Sequence, residues 1–143
     1  MASWWDAPAG GGFLCLSPRE AQLIDSMAEA LFPPGGTPAL SGRDAGIARF
    51  LDEVIDGVPG PTHELLRLFL HALDDFTRVT RRSGFCELSL GERTTLLESW
   101  AQSSQYLFRS SVSSLILFIS MGYCMHPEVK QACGWIFPCG FGS

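Results

Sequence analysis

Two consecutive prolines, Pro33-Pro34, limit this chain more than any other feature. Neither supplies a backbone N–H and each disfavours helix in the residue before it, so no helix runs through this point. Upstream, Ser17-Pro18-Arg19-Glu20 reads as a capping box with proline at the first helical position. Between the two signals, Ile24, Met27, Ala28 and Leu31 follow the i, i+3, i+4, i+7 rule of a helix with one buried face. The chain therefore opens with a capped amphipathic helix, closed by a stiff turn from Phe32 to Pro38.

The same reasoning carries through the rest of the sequence. Ile47, Phe50, Leu51, Val54 and Ile55 form a second stripe that starts after Asp44 and is stopped by Gly57 and Pro59. A third helix opens near Thr62 and carries Leu66, Phe69, Leu70, Leu73 and Phe76 as far as Arg82. Ser89 with Glu92 gives another capping box, for a fourth helix that buries Leu96, Leu97 and Trp100. No proline or glycine separates Trp100 from Met121, so a fifth helix is expected to continue from the fourth with a bend in the serine-rich region. His126-Pro127 restarts a short last helix that ends at Gly134.

No segment alternates as a strand would, and no repeat appears at a fixed period. The expected fold is all-α: one domain over 16–134, five or six helices in an irregular bundle. A flexible N-terminal arm (1–15) and a C-terminal tail (135–143) flank it. At 143 residues and 46% hydrophobic content the chain can bury one substantial core.

Charge excludes one class of function and hints at another. A net charge of -5 opposes general nucleic-acid binding, which needs a basic footprint. The cluster Arg78, Arg81 and Arg82 falls at a helix end, where cations complement the carbonyl dipole. Charged residues make up only 17%, against roughly 25% in an ordinary soluble domain. A surface short of charge suits a permanent partner. Between Arg109 and Glu128 there is no Asp, Glu, Lys or Arg, yet five serines shorten the apolar run well below the roughly 18–20 residues of a membrane span. The expectation is a helix buried on most sides in protein. Met1 to Gly12 shows no export leader, so the chain reads as cytoplasmic, or periplasmic where a leader was removed or a partner supplies one.

Catalytic motifs are sparse. There is no G-x-G-x-x-G, Walker loop, H-E-x-x-H or C-x-x-C-H. His63 and His71 read as surface or helix-start histidines, and Asp74-Asp75 as a solvated helix face. Cys124, His126, Cys133 and Cys139 gather soft ligands near the C-terminus, but C-x-H, H-x6-C and C-x5-C depart from the usual zinc spacings. A Cys133–Cys139 disulfide and buried reduced thiols both fit the same residues. With five cysteines one is left over in an oxidising compartment, and Cys15 and Cys139 are the candidates for an intermolecular bond. Trp4, Trp5, Trp135, Ile136 and Phe137 lie on the two ends; such groups cost free energy in water and are expected to dock. With the Phe32-Pro33-Pro34 turn they form the expected partner interface, because rigid turns and aromatics lose little entropy on docking.

Leu16-Ser17-Pro18-x-Glu20, Ala30-Leu31-Phe32-Pro33-Pro34 and Asp44-Ala45-Gly46-Ile47 leading into Phe50-Leu51-Asp52 together resemble the gluconate 2-dehydrogenase subunit 3 family. Leu88-Ser89-x-x-Glu92-Arg93, Trp100-Ala101 and Gly122-Tyr123 with His126-Pro127 extend the resemblance to about Gly134. It implies a small (gamma) subunit without catalytic residues or cofactor of its own. Its partner would be a large flavoprotein of the glucose-methanol-choline (GMC) type, holding FAD and oxidising a sugar or alcohol, often with a cytochrome as electron acceptor. Many family members carry a twin-arginine leader; Met1 to Leu16 has none. A Cys/His metal-binding or redox-responsive module is the alternative reading.

Overall fold

The computed structural model describes residues 12–134. Six α-helices follow one another: α1 (Pro18–Leu31), α2 (Ile47–Asp56), α3 (Gly60–Arg81), α4 (Leu90–Ala101), α5 (Tyr106–Met125) and α6 (Pro127–Ala132). A 3-10 turn, Phe85–Glu87, links α3 to α4, and no strand occurs among the described residues. The expected all-helical architecture is observed.

Helix α1 begins where its cap dictates. The Glu20 amide donates to Ser17 Oγ at 3.3 Å, and the Ser17 amide donates back to Glu20 Oε2 at 2.9 Å, so two amides that an uncapped terminus leaves open are satisfied. The box at Ser89 and Glu92 starts α4 in the same way. Helix α2 starts at Ile47, slightly later than Asp44 suggested. A turn closed by Ser41 Oγ and Asp44 precedes it, and Gly46 sits at φ 70°, the left-handed region.

Helices α4 and α5 do not fuse. Residues 102–105 break the path, and the Arg109 guanidinium donates to the Ser103 carbonyl at 2.7 Å. Satisfying a carbonyl just past α4 from the first turn of α5 holds the corner without proline or glycine, and the bend expected in the serine-rich region is here a full break at Ser103-Ser104.

Helix α1 lies at the centre and packs against α2, α3, α4 and α5. Its Ile24, Met27 and Ala28 meet Ile47, Leu70, Leu73, Phe85 and Ile119 in the core. Arg93, buried on α4, donates to the Ser26 carbonyl and to Glu29 and so ties α4 to α1. Close approach is decisive at Gly42, whose amide donates to the Phe32 carbonyl at 2.8 Å. A Cβ there would overlap the Ala28 carbonyl, which is helix backbone and cannot move aside.

Helix α5 corrects the expectation that it is buried on most sides. Only 28% of its most apolar 18-residue window is buried. Val112, Leu115 and Ile119 face the core, while Leu107, Leu117, Phe118, Met121 and Met125 face out. At 20 residues, with a mean hydropathy of 1.4 over that window, it meets the length and composition criteria of a membrane span. Phe76 on α3, expected in the core, is also half exposed.

Replacing Gly42 with Ala is expected to cost about 3 kcal/mol by overpacking. Gly91→Ala, in open space on α4, should leave stability unchanged or raise it by up to about 1 kcal/mol. Urea unfolding of both variants checks the contrast.

Candidate functional site

Two regions stand out. One is a polar cleft of about 350 Å³ between α1, α3 and the 3-10 turn, lined among others by Arg19, Glu20, His71, Asp74, Arg78 and Cys86. The other is an apolar furrow between α3 and α5.

The polar cleft is held by buried carboxylates. The second oxygen of Glu20, beyond its capping role, accepts from Arg67 Nε and meets His71 Nε2, each at 2.9 Å. His71 is 4% exposed, which corrects its reading as a surface histidine. Asp74 is 5% exposed and corrects the solvated-face reading, whereas its neighbour Asp75 is exposed. Adjacent helical positions point in different directions, so one acid faces α1 and the other water. Asp74 accepts from Arg19 at 2.7 Å, Arg78 at 3.1 Å and the Phe85 amide at 2.9 Å. Burial pushes its carboxyl up, but these donors outweigh that and hold it below the usual range. Arg78, read as a dipole-complementing cation at the helix end, is engaged in this pair.

A third carboxylate, Asp52 on α2, anchors the entry to the fold. It accepts from the amides of Leu14, Cys15 and Leu16 at 2.6, 2.8 and 2.9 Å. Burial opposes its ionisation, and the three amides more than offset that, leaving its pKa lowered. Every one of these acids is engaged by donors from the fold, so the arrangement braces helices.

The cysteines are dispersed. Cys15, Cys86, Cys124 and Cys133 are free thiols; Cys139, and with it the Cys133–Cys139 pairing, lies outside the described residues. Burial, then Asp56 and Asp52, push the Cys15 thiol up, which disfavours the thiolate that forms an intermolecular bond. Cys124 and Cys133 line one small cleft with Val129 and Lys130. His126 uses Nδ1 to accept the Glu128 amide at the start of α6. Among the described residues no three His, Cys, Asp or Glu side chains are placed to hold a metal.

Of the residues expected at a partner interface, Trp4, Trp5, Trp135 and Phe137 lie outside the described residues. Pro33 and Pro34 are exposed. Phe32 is half-buried, its ring stacked on Tyr123 at 3.8 Å between centroids and 5° between planes. Tyr123 in turn donates to the Leu40 carbonyl at 2.8 Å, so the turn is clamped to α5.

The larger apolar surface is one that the sequence reading missed. Leu65, Leu68, Phe76 and Val79 on α3 and Tyr106, Leu107, Leu117, Phe118, Met121 and Met125 on α5 are all substantially exposed. With whole aromatic side chains at about 150–250 Å², these ten present on the order of 1,000 Å². The available signal was an excess of apolar residues around both helices, beyond what one buried stripe uses.

The family model for gluconate 2-dehydrogenase subunit 3 matches residues 18–138, most of the chain. The chain belongs to this family. As a subunit 3 protein it is a small subunit of a dehydrogenase complex with other subunits. The match opens at α1 and takes in all six helices, so both the braced polar cleft and the apolar face belong to the subunit 3 domain. No curated protein and no solved structure matches the chain.

The lowered carboxyls set an acid limit on this subunit. A depressed folded pKa stabilises the fold above the unfolded value and that contribution is lost as pH falls through the folded value. Stability should therefore be level above about pH 5 and decline below about pH 4. Asp52→Asn should cost about 1–3 kcal/mol at pH 7 and flatten the acid decline. Urea titrations between about pH 3 and 7 measure both effects.

Proposed function

We propose that this subunit is a non-catalytic companion that seats on a large FAD-dependent dehydrogenase of the GMC type and stabilises or helps mature it. The exposed apolar side chains of α3 and α5 carry this reading. Their area is close to the roughly 800 Å² that each partner contributes to a standard protein interface. Removing it from water supplies a hydrophobic driving force on the order of 20 kcal/mol before the costs of association are subtracted.

The buried acids support the same reading from the other side. Glu20, Asp74 and Asp52 are committed to arginines, to His71 and to backbone amides. An acid or base that is already bracing a helix makes a poor proton carrier, since moving the proton breaks the brace. On this reading FAD and the sugar or alcohol substrate belong to the large subunit, and a cytochrome or other acceptor takes the electrons from it.

Co-expression tests the proposal. The large subunit should be recovered soluble, yellow with bound flavin and active in several-fold higher yield when this chain is present. The isolated small subunit should be colourless and poorly soluble. A large subunit that folds, loads FAD and turns over equally well alone would falsify the companion role.

A further inference from the structure

We propose that the furrow between α3 and α5 is the seat of one apolar helix of the large subunit, lying lengthwise between them; the inference rests on the companion role above. The furrow consists of two hollows of about 550 and 540 Å³ that share Phe69 and Ala72 in their walls and so lie end to end along α3. Along α3 it runs from Thr62 to Phe76, about 21 Å or four turns at 1.5 Å per residue. A helix of roughly 14 residues fits that length.

The chemistry of the walls specifies the occupant. Among the described residues no charged side chain lines either hollow, so the contacting face of the partner must be uncharged, since an unpaired charge buried there would be costly. Phe108, Ser111, Leu115 and Phe118 supply the α5 wall at helical spacing, and the small Ala72, Ser111 and Ser114 leave the middle of the furrow open. Ser111 and Ser114 donate to the Leu107 and Ser110 carbonyls at 2.8 and 2.9 Å, so their hydroxyls need no water when covered. Small residues between large ones admit the Leu, Phe or Met side chains of a facing helix as ridges into grooves.

Other occupants fit less well. A trough is the wrong shape for a flat lipid surface, and a net charge of -5 opposes an anionic leaflet. A second copy related by a two-fold axis would set trough against trough and leave both unfilled.

Ala72→Trp and Ser114→Trp each place an indole in the trough from an exposed position, so the fold should survive; circular dichroism of each variant verifies this. In co-expressed complex, both should weaken association with the large subunit at least tenfold. Glu98→Trp, at an exposed position on α4 away from both hollows, should bind as the unmodified chain does. Two indole variants that fold and bind normally overturn the proposal while leaving the companion role intact. It is equally overturned if the unmodified chain forms a homodimer that Ala72→Trp splits, or sediments with phosphatidylcholine vesicles in a way that Ala72→Trp abolishes. An unmodified chain that never binds the large subunit removes the companion role itself.

Discussion

Glu20 is the group on which the arrangement of this subunit depends. One of its oxygens caps the helix it belongs to, and the other holds Arg67 and His71 on α3. A carboxylate removed from water survives only when its lone pairs are satisfied by strong donors. Here the donors come from two helices, so the electrostatic requirement of one side chain becomes a constraint on how α1 and α3 meet. Asp52 and Asp74 repeat the device: the first pins the chain ahead of α1 to α2, the second pins α3 to α1 and to the turn that follows it.

This bracing divides the molecule. On the α1 side, the carboxylates of Glu20, Asp52 and Asp74 are buried and paired. On the far side, α3 and α5 carry apolar residues around more of their circumference than the core can cover. Leu70 and Leu73 of α3 point into the core while Leu65, Leu68 and Phe76 do not. A helix that is apolar on opposite faces must have protein or lipid on both. For a member of a dehydrogenase complex, a neighbouring subunit is the natural cover.

Rings connect the two halves. Phe85 stacks on Trp100, Trp100 meets Phe108 edge-on, and Phe108 meets Phe69 at the wall of the furrow. Packed aromatics transmit displacement because close-packed interiors have little slack. A partner helix pressed against Phe69 and Phe108 would bear directly on the core that the buried acids hold together.

Helix ends were legible in the sequence because they obey local rules. Ser17 with Glu20, Ser89 with Glu92, Pro33-Pro34 and His126-Pro127 act within a few residues, through hydrogen bonds and sterics that any context preserves. So did the core stripe of α1, and the family pattern written across these same signals. Three things were decided only by the tertiary structure. His71 and Asp74 became buried because hydrogen-bonding partners 50 or more positions away in the chain met them. The corner between α4 and α5 formed through Arg109 rather than through a helix breaker. The faces of α3 and α5 stayed open because apolar periodicity says that a face avoids water, while the molecule that covers it is a matter of what packs where.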